Sequence, residues 1–109
     1  MFKDVIIIGG GITGLHVLHE LRLQGINATL LEKNAKIGGS WVYQMKDWQI
    51  LQNTKKDFCM YGLCKRKYKK YMTKANMVDY IQNVANINRD CIQTNINVKT
   101  IYKENNTWF

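Results

Sequence analysis

The spacing of hydrophobic residues changes twice in the first third of the chain. Residues 5–8 are four consecutive branched apolar residues, a run typical of a buried parallel strand. From Ile12 onward the leucines recur at roughly helical spacing, and Gly25 is expected to close this segment as a C-cap. A second apolar run, residues 28–31, ends on Glu32. The pattern predicts strand, glycine turn, helix and strand, a βαβ unit with a right-handed crossover.

The middle of the chain has a weaker pattern. Residues 33–40 are predicted to be a loop, and the aromatic and apolar residues of segment 41–71 favour short strands or turns. Thr73 is a suitable N-cap for a following helix. Met77, Val78, Ile81, Val84 and Ala85 form the apolar stripe of that helix.

Apolar and polar residues alternate over 92–102, which predicts a half-buried strand. Residues 104–107 are typical of a hairpin turn. The returning strand would begin at Trp108 and Phe109, and two residues are expected to be too few to pair usefully.

Length and composition limit the class of protein. The 109 residues can form one domain, and the 46% apolar content is ordinary for a globular protein. No stretch approaches the ~20 apolar residues that span a bilayer, and the apolar run before the glycines is too short for a signal peptide. The three cysteines form no CxxC pair, so we expect reduced thiols and a cytoplasmic location.

Two polar features are assigned structural roles. His16 and His19 lie three residues apart on the first predicted helix, but no third ligand is evident, so we expect no metal site and outward-facing imidazoles. The net charge is +8, and the basic run at residues 64–71 is interpreted as a solvated loop. We therefore do not expect nucleic acid as a partner.

The glycine turn carries the chemistry. Gly9, Gly11 and Gly14 form G-x-G-x-x-G, with Ile12 and Thr13 between the last two glycines. In this motif the first glycine allows a tight turn, the second lets a pyrophosphate approach the backbone, and the third allows close helix–strand packing. The amides at the helix N-terminus then face the phosphates.

Glu32 is the acidic partner of this turn. It lies 18 residues beyond Gly14, close to the spacing of ~20 at which a carboxylate meets the ribose hydroxyls. A carboxylate would repel a 2′-phosphate. The nucleotide is therefore predicted to be FAD or NAD rather than NADP.

The run G-x-G-x-x-G, Glu-Lys and then Ile-Gly-Gly-Ser-Trp resembles the FAD-binding N-terminus of flavin-containing monooxygenases and their Baeyer–Villiger relatives. The segment LQNTKKDF, residues 51–58, is similar to a family segment whose Asn lies near the flavin ring. The resemblance implies FAD as cofactor and Asn53 as a catalytic candidate. The cofactor-binding residues it implies are Gly9, Gly11, Ile12, Thr13, Gly14, Glu32, Lys33, Gly38, Gly39, Ser40, Trp41 and Asn53.

The resemblance also implies a fold and an activity. The fold class is α/β, a Rossmann-like βαβ unit with an additional helix and a small β-meander or hairpin. Residues 1–109 form a single, partial FAD-binding domain, with a dinucleotide-binding core at 1–40 and a family-specific extension at 41–109. The activity implied is the NADPH-using oxygenation of soft nitrogen or sulfur nucleophiles.

The chain resembles only the first part of such enzymes, and no second glycine motif for NADPH is present. We therefore expect a truncated chain that is inactive alone and that needs a second chain or a missing C-terminal part. The alternatives are a non-catalytic nucleotide-binding or interaction module, or a fragment of another FAD-dependent oxidoreductase of the amine oxidase type.

Overall fold

A computed structural model describes residues 3–109. Its helices and strands follow the order β1 (Val5–Ile8), α1 (Ile12–Leu23), β2 (Ala28–Leu31), α2 (Ser40–Tyr43), α3 (Lys55–Phe58), α4 (Lys74–Ile87), a 3₁₀ helix (Arg89–Cys91), β3 (Ile92–Gln93), β4 (Lys103–Glu104) and β5 (Thr107–Trp108). Strands β1, β2 and β3 form a parallel sheet in the order β1-β2-β3. The predicted βαβ unit and the α/β fold class are confirmed.

Strand β1 is only half buried, which corrects the expectation of a fully buried strand. It pairs in register with β2 from Val5 opposite Ala28 to Ile8 opposite Leu31. Val5 and Ile7 pack on the cluster beneath α1, whereas Ile6 is 53% exposed and Ile8 51% exposed. Nothing in the described chain covers the second face of the sheet over these two residues.

The main core lies between α1, α4 and the irregular segment that connects α2 to α4. Its fully buried side chains include Leu15 from α1, Met72 before α4, and Tyr80 and Ile81 within α4. Thr73 caps α4 as predicted, because its hydroxyl accepts the backbone N–H of Asn76. At the end of α1 the left-handed residue is Gly25, one position beyond the cap residue Gln24.

Segment 41–71 forms two short helices and several turns, so the turns of the expected strands or turns are present and the strands are not. Its β pairing is a single bridge between Ile50 and Thr73. Helix α3 is held by a capping box in which Asp57 accepts the backbone N–H of Thr54 at 3.0 Å. Local capping therefore determines the structure where the apolar pattern is weak.

The predicted strand over 92–102 is wrong beyond its first two residues. Asn95 has a left-handed backbone with φ of 58°, which interrupts an extended strand. The backbone N–H of Ile96 then donates to the carbonyl of Glu32 at 2.9 Å, and the chain crosses the end of the sheet instead of extending it. The apolar side chains of this segment are not covered by another element of the described chain, and Ile101 is 57% exposed.

The C-terminal hairpin pairs despite its short strands, which corrects the expectation that they would not. Asn105 and Asn106 both have positive φ, as a two-residue type I′ turn requires. Strands β4 and β5 pair antiparallel, and Tyr102 and Phe109 exchange two backbone hydrogen bonds beyond them. The rings of Tyr102 and Phe109 stack with centroids 5.4 Å apart.

Candidate dinucleotide-binding site

The glycine turn leaves strand β1 and opens helix α1 without a capping side chain. Gly9 has φ of 105° and donates its N–H to the carbonyl of Leu31 at 2.9 Å, which binds the turn to the end of β2. Gly11 is the N-cap of α1 and has no side chain to cap the first amides. The first amides of a helix have no intrahelical acceptor, so those of Ile12 to Gly14 are donors for an anion.

The space around the turn differs between Gly11 and Gly14. A Cβ at Gly11 would meet no atom within 4 Å, so the surface above it is open to a ligand. A Cβ at Gly14 would collide with the carbonyl oxygen of Gly9. Gly14 therefore allows close packing of α1 on the turn, while the space above Gly11 is open.

Glu32 joins the end of β2 to the glycine turn. Its side chain is 6% exposed, and its two carboxylate oxygens each accept one backbone N–H, from Gly10 at 2.6 Å and from Asn34 at 2.8 Å. A carboxylate has about four acceptor positions, so capacity for two ribose hydroxyls remains. Charge-assisted bonds to two amides also hold the carboxylate in one orientation.

Gly10 is a site residue that sequence reasoning missed. Besides donating to Glu32, it accepts the N–H of Gly38 through its carbonyl at 2.8 Å. A Cβ there would lie 3.0 Å from the nearer carboxylate oxygen of Glu32. In the sequence, its position in an unbroken run of three glycines before a helix could have identified it.

The second glycine pair packs back onto the first turn. Gly38 and Gly39 have φ of 137° and 53°, both in the region that favours glycine. A Cβ at Gly39 would lie 3.2 Å from the Cα of Gly11. The structure therefore brings Gly38 and Gly39 together with the glycine turn and Glu32, although the pair lies more than twenty residues further along the chain.

A groove of about 440 Å³ continues from this glycine contact along α2. Ser40, Trp41, Asn53 and Phe58 line it, together with residues between them in sequence. Trp41 contacts Phe58 edge to face, with ring centroids 5.8 Å apart. Asn53 is exposed at a bend and lines the same groove as Ser40 and Trp41.

The remaining predicted site residues differ in exposure. Ile12 packs against the main core cluster, and Thr13 is exposed at the first turn of α1. Lys33 is exposed beyond Glu32, and no hydrogen bond or ion pair of its side chain is found within residues 3–109.

The two histidines do not face outward, which corrects the sequence-based expectation. His19 is 8% exposed, and its Nδ1 accepts a hydrogen bond from Asn88 at 2.9 Å. His16 Nε2 lies 2.7 Å from the hydroxyl of Tyr80. The described residues 3–109 contain no group of three or more His, Cys, Asp or Glu side chains placed to hold a metal ion.

The basic run is partly anchored rather than wholly solvated. Tyr68 is 2% exposed, and its hydroxyl donates to Asp79 at 2.6 Å, the same carboxylate that Lys65 contacts at 3.0 Å. These two hydrogen bonds hold the pKa of Asp79 below its usual value. The same contact, after burial, raises the pKa of the Tyr68 phenol.

Comparisons with known proteins match the part of the chain that forms this site. Residues 4–46 match the family of FAD dependent oxidoreductases. The FAD-binding monooxygenase acrE of Aspergillus aculeatus is 45% identical over 38 residues, which are 35% of this chain and 6% of that protein. Flavin-containing monooxygenase FMO GS-OX-like 9 of Arabidopsis thaliana is 45% identical over 42 residues, which are 38% of this chain and 9% of that protein.

Solved structures match over more of the chain. Oxidised steroid monooxygenase bound to NADP superposes with a TM-score of 0.72 at 25% identity, covering 85% of this chain and 19% of that one. OTEMO in complex with FAD and NADP superposes with a TM-score of 0.81 over 97% of this chain and 21% of that one. At 19% identity the second likeness shows the fold alone.

The comparisons confirm three predictions. They bear out the resemblance to FAD-dependent monooxygenases, the Rossmann-like fold class and FAD as the cofactor class. The chain spans less than a tenth of the length of the two curated relatives described and about a fifth of the solved structures. Within residues 3–109, no helix has the length and apolar character needed to cross a membrane.

Proposed function

We propose, from the match of residues 4–46 to the FAD dependent oxidoreductases, that this chain binds FAD at the glycine turn and forms the flavin-binding part of a monooxygenase. The observation that carries the proposal is that one glycine turn joins the open position at Gly11, the close approach of Gly39 and the buried carboxylate of Glu32. Free helix amides, a buried carboxylate with remaining acceptor capacity and an open backbone fit the pyrophosphate and ribose of FAD.

Each part of the site has a proposed role toward the cofactor. The amides of Ile12, Thr13 and Gly14 would bind the pyrophosphate, and Glu32 would accept hydrogen bonds from the adenosine ribose, with Lys33 at the rim. Gly38 and Gly39 would let the backbone approach the far side of the FAD.

The groove along α2 would hold the flavin end. Ser40 and Trp41 would border the ring system, and Asn53 would donate a hydrogen bond near it. Residues 1–40 would thus be the dinucleotide-binding core, and residues 41–109 the extension that covers the flavin. When bound, FAD supplies the redox and oxygen chemistry, and the chain positions it and excludes water.

The activity proposed for the whole protein is NADPH-dependent oxygenation of soft nitrogen or sulfur nucleophiles. A further segment or a second chain would supply the NADPH site and cover the exposed face of Ile6 and Ile8. The three free thiols support a cytoplasmic location, where disulfides are rare. Nucleic acid is not proposed as a partner, since Tyr68 is buried and unavailable for base stacking.

Direct titration of the purified chain with FAD tests the proposal. Flavin fluorescence and calorimetry should report saturable binding, and NADP should compete poorly because Glu32 repels its 2′-phosphate. Gly11→Ala is the diagnostic variant, since its Cβ meets no protein atom and the φ of −69° suits alanine. This variant should fold normally and lose FAD affinity by about tenfold or more, because the methyl group occupies the phosphate approach.

Gln82→Ala, an exposed change on α4, is the matched control and should bind FAD like the original chain. Folded protein that shows no saturable FAD binding would overturn the proposal. Equal FAD affinity for Gly11→Ala would overturn the position of the site. Binding of FAD with no oxygenation by any reconstituted assembly would favour the alternative of a non-catalytic binding module.

A further inference from the structure

Two cysteines flank a closed turn between α3 and the basic run. The N–H of Leu63 donates to the carbonyl of Met60 at 3.0 Å, which closes a four-residue turn. Gly62 has φ of 81° at its third position, as a type II turn requires. Cys59 and Cys64 stand immediately before and after this turn, so its closure brings their backbones together.

The side chains of both cysteines pack against the main core cluster. The sulfur of Cys59 lies 4.0 Å from the thioether of Met72. Both thiols are free and partly exposed, so a small oxidant can reach them. The third cysteine, Cys91, is also free and partly exposed, but it packs against the separate cluster beneath α1.

The turn is held in place from outside as well. The backbone N–H of Met60 donates to the hydroxyl of Tyr80 at 2.9 Å, and Tyr80 is fully buried in α4. On its other side, Phe58 contacts Trp41 in the groove proposed for the flavin. The segment that carries the two thiols is therefore held by contacts on both sides.

We propose that Cys59 and Cys64 form a reversible intramolecular disulfide when the protein meets hydrogen peroxide. Bridging needs Cα atoms about 4.4–6.8 Å apart. The turn between the cysteines is closed by the Met60–Leu63 hydrogen bond, which holds the Cα atoms of those two residues within about 7 Å. Disulfides of cytoplasmic proteins are characteristically transient and redox-sensing, so a reversible pair agrees with the proposed location.

The chemistry balances in two steps. The Cys64 thiolate attacks one peroxide oxygen, the O–O bond breaks, and Cys64 becomes a sulfenic acid while the other oxygen leaves as water. The Cys59 sulfur then attacks the Cys64 sulfur, the S–O bond breaks, and the hydroxyl leaves with the Cys59 proton as a second water. In total, two thiols are oxidised by two electrons and one peroxide is reduced to two waters.

The order of the two cysteines follows from their surroundings. Burial, with the hydrogen bond to Cys64 as the next cause, raises the pKa of the Cys59 thiol to about 12. A thiol is a far weaker nucleophile than its thiolate, so Cys59 is the poorer first attacker. It is instead positioned to resolve a sulfenic acid formed on Cys64.

Peptide mapping can test the pair because trypsin separates it from the third cysteine. Residues 57–65 form one tryptic peptide that contains Cys59 and Cys64, while Cys91 lies in the peptide of residues 90–99. The folded chain is treated with a slight molar excess of hydrogen peroxide, quenched, alkylated in urea and digested. The 57–65 peptide should lose about 2 Da and take up no alkyl group, while Cys91 should be alkylated.

Variants assign the roles. Cys91→Ser should leave the 57–65 disulfide unchanged. Cys59→Ser should leave Cys64 as a sulfenic acid that dimedone traps, because the resolving thiol is gone. A thiol reductant should restore both alkylation sites, and the same oxidation in urea should give mixed pairs that include Cys91.

Alkylation of both Cys59 and Cys64 after peroxide treatment would overturn the proposal. A bridge from either of them to Cys91, or to a second chain, would overturn it as well. Direct conversion of Cys64 to sulfinic or sulfonic acid would show that Cys59 does not resolve the sulfenic acid. None of these outcomes depends on FAD, so the test stands apart from the proposed function.

Discussion

At the scale of single residues, Glu32 stabilises the glycine turn and is also the residue expected to contact a ribose. Its buried carboxylate accepts the amides of Gly10 and Asn34, so it stabilises the glycine turn before any ligand arrives. The spacing in the sequence predicts a contact with ribose, but it does not reveal these two backbone bonds. A residue expected to bind the cofactor thus also holds the turn that binds it.

Replacing Glu32 with Gln should therefore reduce both stability and FAD affinity. The amide side chain offers one acceptor oxygen where two are used, so its NH₂ group would face a backbone N–H, leaving a buried donor unpaired. That loss should lower the free energy of unfolding by about 1–3 kcal/mol without ligand. Urea unfolding followed by circular dichroism measures it.

The matched control is Glu104→Gln, since Glu104 is exposed in the terminal hairpin and should change stability by less than about 0.5 kcal/mol. Equal stability of Glu32→Gln and the original chain would contradict the role of the carboxylate in the turn.

At the scale of elements, buried and partly buried polar contacts join α1 to α4. The Met60 N–H donates to the Tyr80 hydroxyl, which leaves the hydroxyl proton to donate to His16 Nε2. His19 receives a second such contact from Asn88, which also donates to the carbonyl of Val84 at 2.8 Å. Protonation of His16 at Nε2 would remove the acceptor that the Tyr80 hydroxyl meets.

This arrangement predicts that acid weakens the helix interface. Burial, and then the neighbouring His19, lowers the pKa of His16 below its usual value of 6.5. The unfolded chain therefore binds a proton that the folded chain resists, and the free energy of unfolding should fall as the pH drops below about 6.5. Above that pH the free energy of unfolding should not depend on His16.

Thermal unfolding between about pH 7.5 and 5 should show this decline, and His16→Gln should make it shallower, because Gln keeps an acceptor for Tyr80 but does not titrate. An NMR titration measures the His16 imidazole directly. A pKa at or above 6.5 would contradict the hydrogen-bond direction inferred here.

Elements differ in how far the sequence predicts them. Residues 5–32 and the helix after Thr73 have strong periodicity and clear caps, and the structure agrees there with the prediction. The alternating segment 92–102 has an equally clear period, yet only Ile92–Gln93 joins the parallel sheet. A strand needs a neighbour, and the periodicity of one segment does not say whether a neighbour is present.

At the scale of the whole molecule, the described chain is longer than it is wide, with extents of 49 × 28 × 21 Å. Its radius of gyration is 15.1 Å, whereas a compact chain of this length would have about 13 Å. Its positive charge is also localised, since residues 55–79 hold eight of the sixteen Lys and Arg but only two of the eight Asp and Glu.

The 109-residue chain with FAD should not oxygenate a tertiary amine at the expense of NADPH. It holds one G-x-G-x-x-G motif, and we propose that this turn binds FAD, so the chain has no second such motif for NADPH. NADPH consumption should equal that of free FAD at the same concentration. Product analysis by mass spectrometry checks the oxygenation itself, and amine oxide above the free-flavin background would contradict the prediction.

The sequence alone determined the βαβ unit, the glycine turn, its acidic partner and the cofactor class, because each depends on residues close in sequence and on local backbone rules. Only the tertiary structure decided that Gly38 and Gly39 rest on that turn, that Asn53 and Trp41 line one groove, that His19 is buried and that His16 contacts Tyr80. These relations depend on long-range packing between segments whose own patterns do not specify a partner. Local sequence rules thus explain the turn of three glycines, whereas long-range packing explains the arrangement of residues around it.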